Sequence, residues 1–356
     1  MTRPSAAAIA ANRFGLGARP GELARISDPQ RWLQEQLRTP PPNPASPGLR
    51  SSLEVVEGAA ELARNVRNNA ANGADPLPLA QSGAAAPAAP AAPGAAAAAA
   101  DQANQQLVAN RLPRYFAPIY QADAIARLQN AVATQQPFAE RLVQFWSNHF
   151  AVSVDKVAVL ALAGCLEREA IRPNLSGKFS DLLLAVEKHP AMLMFLDNQL
   201  SIGPGSVLAT RAAGQRRRQL GLNENLAREI LELHTLGVDG GYTQADVTRF
   251  AKVITGWSVG GLRSLPGRVD DGTAPGAFVF RPLVHEPGAQ VVVGRRYAQE
   301  GVEQGEAVLR DLATSPATAK HLATKLVRHF IADDPPPAAV ERLTRAYLRS
   351  GGHPPA

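Results

Sequence analysis

Apolar residues recur with the spacing of amphipathic α-helices along most of the chain. Between residues 137 and 150, Phe138, Leu142 and Phe145 fall on one helical face when successive residues are rotated by about 100°. Pro137 suits the first helical position because its ring presets φ and its missing N–H would have no intrahelical partner there. The same spacing predicts further helices over residues 29–37, 160–171, 179–188, 190–198, 301–312, 317–330 and 337–348.

Two more helices in the middle of the chain are indicated by residues typical of helix ends. Asn223 is suited to cap a helix that runs to Leu236, and Gly237 is suited to the left-handed residue that ends it. Thr243 and Asp246 have the spacing of a capping box at the start of the next helix. We therefore expect helices over residues 223–236 and from residue 243 onward.

The apolar period changes from that of a helix to that of a strand between residues 277 and 293. Phe278 and Phe280 alternate with other residues, and a run of valines at 291–293 follows the turn residues Pro287 and Gly288. Alternation with a period of two and a turn between two short runs are typical of strands that pair. The segment is therefore predicted to form a small β-hairpin.

Residues 68–106 interrupt the helical pattern, because alanine, proline and glycine dominate this segment and no apolar periodicity remains. Few large side chains are present to offset the entropy of ordering the chain, so we predict a disordered, flexible linker. The linker separates an N-terminal helical segment, residues 1–67, from a main helical domain, residues 107–356, on which that segment packs. The predicted fold is mainly α: a multi-helix orthogonal bundle with one small β-hairpin and a disordered Ala/Pro-rich insertion.

Composition constrains the cellular location. No stretch reaches the about 20 apolar residues of a membrane span, and residues 1–13 lack the apolar core of a secretory signal. We therefore expect a soluble protein that is cytoplasmic as written and exported only if its N-terminus is incomplete.

The single cysteine, Cys165, lies in an apolar run and cannot form an intrachain disulfide, which indicates a buried, unreactive thiol.

The basic charge of the chain permits contact with nucleic acid without indicating it. The formal net charge is +6, and the densest basic cluster is the arginine run at residues 216–218. No aromatic residues are interleaved with this run, as a stacking surface for single strands would require. Nucleic-acid binding is therefore not expected, and a solvated loop is the favoured interpretation.

Two histidines interrupt the apolar faces of predicted helices. His149 lies among the aromatic residues of the helix over 137–150, and His234 lies near the middle of the apolar arc of the helix over 223–236. A buried imidazole needs hydrogen-bond partners, and its pKa moves away from the solution value. Each ring is either a hydrogen-bonded residue that fixes helix packing or a catalytic residue, and both interpretations stay open.

Polar side chains near these histidines complete the candidate site. Carboxylates can act as general acids and bases, although a charged outer face is the usual reason for glutamates on a helix. The catalytic candidates beside His149 and His234 are Asn225, Arg228, Glu229 and Glu232. The candidates for ligand binding are Arg172, Asn223, Glu224, His285 and Glu286, of which the last two lie in a predicted turn.

Familiar metal and nucleotide signatures are absent from the sequence. It contains no pair of histidines spaced i, i+4 around a glutamate, no clustered cysteines, no phosphate loop and no Gly-x-Ser-x-Gly elbow. A metal site would have to be assembled from distant segments, such as His149, His234 and His285 with Glu232 or Glu286. Spacing gives that arrangement no support, so we predict no metal site, and the cofactor stays unknown.

Several motifs occur in the same order as in one family of bacterial proteins. They are FWSNHF at 145–150, REAIRPN at 168–174, KHPAM at 188–192, LNENLARE at 222–229, ELHTLGV at 232–238, TGW at 255–257, HEPG at 285–288 and PATA at 316–319. In these motifs, and over nearly its whole length, the chain resembles the domain of unknown function 1800 family.

The resemblance implies a possible partner more than an activity. The family has no established function, and its members are often encoded beside a second family that resembles sulfatases or alkaline phosphatases. It therefore implies a phosphatase/sulfatase-like partner encoded nearby, and it implies export as an alternative to the cytoplasm because many members are exported. Members also continue beyond residues 351–353, so a truncated C-terminus is expected, which would leave apolar surface exposed.

Two functional hypotheses follow. The first is an enzyme-like or ligand-binding protein with a polar His/Glu/Asn/Arg site between helices, centred on residues 223–234 with His149 and His285 nearby. The alternative is a non-catalytic partner or scaffold protein that acts with the phosphatase/sulfatase-like neighbour, since no complete catalytic signature is present. The first hypothesis requires that the two buried imidazole rings share one polar pocket.

Overall fold

The computed structural model describes residues 4–71, 93–213, 221–261 and 273–353. The α-helices in these ranges are α1 (Ala6–Ile9), α2 (Pro29–Glu35), α3 (Ser52–Ala71), α4 (Pro93–Ala133), α5 (Pro137–His149), α6 (Val157–Leu160), α7 (Ala163–Leu166), α8 (Phe179–Glu187), α9 (Pro190–Phe195), α10 (Val207–Ala213), α11 (Asn225–Glu229), α12 (Gln244–Val253), α13 (Val302–Thr314), α14 (Pro316–Phe330) and α15 (Pro337–Ser350). The strands are β1 (Trp257–Val259), β2 (Phe278–Phe280), β3 (Gln290–Val292) and β4 (Arg295–Tyr297). The prediction of a mainly α, multi-helix fold is confirmed.

Tighter and wider helical turns connect these elements. The π-helical segments are Ala10–Phe14, Glu167–Ile171 and Ile230–His234. The short 3₁₀ turns are Leu23–Arg25, Arg172–Asn174, Asn198–Leu200 and Pro282–Val284. Two predicted helices are therefore composite: the one over 160–171 ends in a π-helical segment after α6 and α7, and the one over 223–236 continues α11 as a π-helical segment.

Side-chain caps fix where several helices begin. Asp28 accepts hydrogen bonds from two backbone N–H groups in the first turn of α2, and Thr243 forms a reciprocal capping box with Asp246 at the start of α12. These carboxylates and hydroxyls satisfy N–H groups that have no partner within the helix. Gly237 has a φ of 89°, the left-handed conformation expected for the residue that follows a helix end.

The small β structure is two strand pairs in the described residues, where the sequence predicted one hairpin. β1 pairs antiparallel with β2, so that Trp257 lies opposite Phe280, and β3 pairs antiparallel with β4. The turn between β3 and β4 consists of Val293 and Gly294, whose φ values are 47° and 74°. Two consecutive positive φ values are typical of a two-residue hairpin turn, but valine rarely adopts one. The sequence therefore did not predict this turn, because valine is not a residue typical of it.

One apolar core extends across most of the described chain. Its buried members range from Val55 in α3 to Leu322 in α14, and they include the fully buried rings of Phe150, Phe250 and Trp257. Within the core, α8 packs against α13, and α14 packs against α15. The N-terminal helix α3 therefore shares its core with the helices that follow residue 107.

Several sequence-based boundaries fall at the edges of the described ranges. α3 ends at Ala71 and α4 begins at Pro93, so helices cover both ends of the predicted 68–106 linker, whereas residues 72–92 lie outside the described residues. The arginine run at 216–218 also lies outside them. The division into segment, linker and domain stays a prediction. In the parts of the chain that the structure describes, we find no helix with both the length and the apolar character of a membrane span.

Candidate functional site

His149 and His234 lie side by side in the core. Their ring centroids are 6.0 Å apart, and each residue is only 4% exposed. His149 is the last residue of α5, and His234 is the last residue of the π-helical segment that continues α11. The C-terminal ends of two helical stretches therefore meet here, with one imidazole contributed by each.

Both ring nitrogens of His149 are in hydrogen bonds. Nε2 lies 3.1 Å from the carbonyl oxygen of His234, and Nδ1 lies 2.8 Å from Nζ of Lys325 on α14. A carbonyl only accepts, so Nε2 carries the proton, and a neutral ring then offers Nδ1 as an acceptor to the lysine amine. Burial and the nearby charge of Lys325 lower the pKa of His149 well below its usual value, in agreement with a neutral ring.

His234 is paired with a buried carboxylate. Its Nδ1 lies 2.8 Å from Oε1 of Glu187, the fully buried last residue of α8. Since a carboxylate accepts, the proton of this imidazole is held on Nδ1 and the ring orientation is fixed. Oε2 of Glu187 is buried without a hydrogen-bond partner among the described residues.

A third histidine caps the same helix end. Nε2 of His321 on α14 lies 3.1 Å from the carbonyl oxygen of Leu233, while His149 bonds the next carbonyl. The last carbonyls of a helix have no intrahelical partner, and imidazole and ammonium groups near a helix C-terminus are favoured by its dipole. Burial lowers the pKa of both His321 and Lys325. We call the five side chains the histidine cluster: His149, Glu187, His234, His321 and Lys325.

The histidine cluster contains the residue types of acid–base catalysis but holds most of its nitrogens in structural bonds. A carboxylate–imidazole pair and an amine–imidazole pair are both groups that enzymes use to move protons. In the present arrangement the acceptor nitrogen of His149 is covered by Lys325, and its donor nitrogen is used on a backbone carbonyl. The contacts account for both rings as residues that fix helix ends, and their role in catalysis stays a prediction.

The polar residues at α11 lie on a different surface. We call them the polar arc of α11: Glu224, Asn225, Arg228 and Glu229. Glu224 lies 3.2 Å from Arg228 and accepts hydrogen bonds from Gln244 and Thr248 of α12 at 2.8 and 2.6 Å. The bond from Thr248 contributes most to lowering the pKa of Glu224. This network joins two helices at the surface, and none of the described hydrogen bonds connects it to His149.

The remaining candidates on this segment are also outside the histidine cluster. Asn223 donates through Nδ2 to the carbonyl of Leu196 at 3.1 Å and accepts from the backbone N–H of Asn225 at 2.9 Å, so its side chain satisfies the first N–H of α11 from one position before the N-cap residue, Glu224. Asn225 is exposed and Glu229 is half-buried. Glu232 accepts a hydrogen bond from the hydroxyl of Tyr242 at 3.3 Å.

His285 and Glu286 lie against another part of the chain. Nδ1 of His285 donates to the carbonyl of Thr255 at 2.9 Å, and burial lowers the pKa of this histidine. Glu286 accepts from the backbone N–H of Gly205 at 2.6 Å and lies 3.4 Å from Nζ of Lys252. None of these contacts involves His149 or His234. Within the described ranges, no three His, Cys, Asp or Glu side chains are grouped so that they could hold a metal ion.

Arg172 forms a second buried polar centre. Its guanidinium contacts both oxygens of Glu140, at 2.9 and 2.6 Å, and Oε1 of Glu167 at 2.8 and 3.0 Å. Burial opposes the charge, but the two carboxylates outweigh it and raise the pKa of Arg172. We call Arg172, Glu140 and Glu167 the arginine cluster. Its mutual pairing indicates a structural ion network.

An apolar cavity of about 450 Å³ lies beside the histidine cluster. The aromatic side chains in its wall are Phe14, Phe138, Trp146, Phe179, Phe330 and Tyr347. The rings of Trp146 and Phe179 also contact His149, at centroid distances of 5.3 and 6.5 Å. The histidine cluster therefore lies directly behind Trp146 and Phe179 in the cavity wall.

Helical spacing could have identified part of what the sequence analysis missed. Glu187 follows Leu183 by four residues, so it falls on the apolar face of α8, where an unpaired glutamate would be costly. His321 and Lys325 are likewise four residues apart on α14. The cavity carried no such signal, because apolar spacing predicts that a side chain is buried and cannot show that the space beside it is unfilled.

The comparisons with known proteins identify a family. A family model described as "Protein of unknown function (DUF1800)" matches residues 9–354. No curated protein and no solved structure matches the chain. The match includes every motif on which the sequence resemblance was based, so that resemblance is confirmed.

Proposed function

The chain belongs to the DUF1800 family, and we propose that it is a ligand-binding protein that holds a small, largely apolar molecule in the cavity between α5, α14 and α15. The observation that carries this proposal is the cavity itself. Its volume of about 450 Å³ falls within the roughly 300–1,000 Å³ of small-molecule sites. Its wall has the composition of such sites, since it is mostly apolar with a few polar groups.

The aromatic rings of the wall are arranged around shared contacts. Phe14 stacks on Phe330 at a centroid distance of 5.6 Å, and Phe138 meets both rings edge-on at 6.0 and 5.8 Å. Rings held in this way offer large, rigid apolar surfaces to a ligand. The polar side chains in the wall are Gln34, Asn174, Arg342 and His353. A few such groups are sufficient to orient a bound molecule.

The histidine cluster supports this proposal as a brace for the wall. Trp146 and Phe179 have the cavity on one side and the ring of His149 on the other. Because Lys325 and His234 fix that ring through both nitrogens, they also limit how the two wall residues can move. On this proposal the polar site expected between helices positions the binding surface, and His149 and His234 act through it.

A cavity-filling variant tests the proposal. Ala323 is buried in α14 and lines the cavity, so Ala323→Phe places a ring in the space that the ligand would occupy. The matched control is Ala338→Phe, at an exposed position of α15 outside the wall. The probe is 1-aminoanthracene, a neutral fluorescent aromatic. We expect saturable binding to the unsubstituted protein and to Ala338→Phe, and affinity at least about tenfold lower in Ala323→Phe, a loss of 1.4 kcal/mol or more.

Near-ultraviolet circular dichroism shows whether each variant keeps its packed core. A folded Ala323→Phe protein that binds the probe as well as the control does would contradict the proposal.

The alternative role, as a partner or scaffold for a phosphatase/sulfatase-like protein, stays a prediction. The surface it would use is an exposed apolar stripe on α4, formed by Ile125, Leu128 and Val132.

A further inference from the structure

We infer that the molecule held in the cavity is a single-chain amphipathic anion, such as a medium-chain carboxylate, an inference that rests on the proposed function. The charge of the wall points to it. Among the described residues that line the cavity, Arg342 is the single arginine, and there is no lysine, aspartate or glutamate. An acidic head group would therefore meet a cation without meeting a competing carboxylate.

The guanidinium of Arg342 is free to accept such a partner. The side chain is exposed on α15, and within the described ranges no hydrogen bond or ion pair engages it. By contrast, Arg345 on the same helix pairs with Glu341 at 3.6 Å. An arginine fork matches the two oxygens of a carboxylate, which favours a carboxylate over a neutral head group.

Two more arginines contact residues of the cavity wall. The guanidinium of Arg141 lies 5.5 Å from the ring centroid of Phe330, and Arg13 donates to the backbone carbonyl of Ile331; both partners line the cavity. Burial, with the nearby charge of Arg13, lowers the pKa of Arg141. Two like charges held close together, without a described acidic partner, produce a field that attracts anions.

The rest of the wall suits a hydrocarbon chain. Beside the aromatic rings, it is built mainly from leucine and alanine side chains, including Leu142, Leu182 and Leu322. Each methylene transferred from water into such surroundings strengthens binding by about fourfold. Affinity should therefore rise with chain length until the cavity is full, which an aromatic stacking site for a flat ligand would not show.

Displacement of 1-aminoanthracene by three ligands with the same chain tests the inference: decanoate, decanol and decylamine. We expect decanoate to bind tightest, decanol to follow and the cationic decylamine to bind weakest. Arg342→Gln should weaken decanoate by about threefold to tenfold and leave decanol unchanged. The matched control is Arg349→Gln, which removes an exposed arginine from the same helix outside the wall and should change neither affinity. Octanoate should bind more weakly than decanoate.

The outcomes separate this inference from the proposal on which it rests. If decanol and decanoate bind equally, and Arg342→Gln affects neither, the cavity binds apolar molecules but the anionic head group is wrong. Tightest binding of decylamine would overturn the inference in the same way. If none of the three displaces the probe, and Ala323→Phe leaves probe binding intact, the proposed function itself fails.

Discussion

The arginine cluster and the histidine cluster place polar groups in the same core by different means. In the first, Arg172 is fully buried and carries a permanent charge that two carboxylates balance. In the second, His149 is neutral and uses its nitrogens on a backbone carbonyl and a lysine amine. The difference teaches that burial alone does not mark a site as reactive. What distinguishes the two centres is whether protonation changes on unfolding near neutral pH: His149 is neutral in the folded protein and can gain a proton when the chain unfolds, whereas Arg172 is charged in both states.

Both clusters nevertheless include a residue from a π-helical segment. Glu167 begins one π-helical segment and His234 ends another. A π-helical turn is wider than an α-helical one, and such turns are frequent at functional sites. Here each segment carries a polar side chain into the core: Glu167 meets Arg172, five residues along the chain, and His234 meets Glu187 at the end of α8. The comparison therefore rests on the partners and not on the local backbone.

The largest expected effect comes from breaking the arginine cluster. Arg172→Met removes the cation that bridges Glu140 and Glu167, and it leaves the fully buried Glu140 without a charged partner, whereas Glu167 keeps its ion pair with Arg127 at 2.7 Å. We expect the free energy of unfolding to fall by about 3–5 kcal/mol, as measured by urea denaturation. The control is Arg228→Met, which removes a half-exposed i, i+4 pair with Glu224 and should cost less than about 1 kcal/mol.

A second substitution shows whether unpaired charge is the cause. Arg172→Met combined with Glu140→Met removes the uncompensated carboxylate, and it should recover part of the lost stability. Equal losses in Arg172→Met and Arg228→Met would show that the buried ion network contributes no more than a surface pair. The arginine cluster would then not differ from a surface ion pair in its contribution to stability, and the contrast with the histidine cluster would fail.

The helical period predicted which face each histidine occupies but not what it meets. His149 and His234 were both expected on buried faces, and both are 4% exposed. Their partners lie far along the chain: Glu187 is 47 positions from His234, and Lys325 is 176 positions from His149. Such pairs depend on how helices pack against one another, which the spacing within one helix does not specify.

The same limit explains the rest of the candidate site. Glu224 and Arg228 were candidates for the site, and the structure places both residues in a network between two helices. His285 was expected near the centre, but its contact with Thr255 depends on the pairing of β1 with β2, which brings together segments 30 residues apart. The cavity depends on a gap between several helices, which is a property of the assembled fold alone.

A medium effect should come from pH, and the histidine cluster should contribute to it through His149. The pKa of His149 is lowered in the folded protein, so between pH 7 and pH 5 the unfolded chain binds a proton that the folded chain does not. The free energy of unfolding should therefore fall with decreasing pH, by up to about 1.4 kcal/mol per pH unit for this one histidine. Arg172 keeps its charge throughout this range, so it should add nothing to the slope.

Urea denaturation at a series of pH values measures this slope. His149→Gln keeps a polar side chain but removes the titrating ring, so the slope should become smaller. The control His353→Gln removes an exposed histidine and should leave the slope as it is. An identical slope in His149→Gln and the unsubstituted protein would mean that the proton uptake occurs elsewhere, for example at His285 or His321, whose pKa values burial also lowers.

The smallest effects are expected on the polar arc of α11, and they decide where a ligand binds. Asn225 is exposed and contributes its backbone N–H to the cap, so Asn225→Ala should keep that bond. We expect Asn225→Ala and Glu229→Ala to change the free energy of unfolding by less than about 0.5 kcal/mol and to leave 1-aminoanthracene binding unchanged. His234→Ala, in contrast, leaves the carboxylate of Glu187 unpaired in the core and should be clearly destabilising.

This last comparison separates a surface role from a buried one, because the three substitutions lie on one continuous helical stretch. If Asn225→Ala or Glu229→Ala lowered probe affinity while stability stayed the same, the ligand would contact the outer arc. The aromatic wall would then be ordinary core packing around an unfilled space, and the residues of α11 that the sequence singled out would become the binding site.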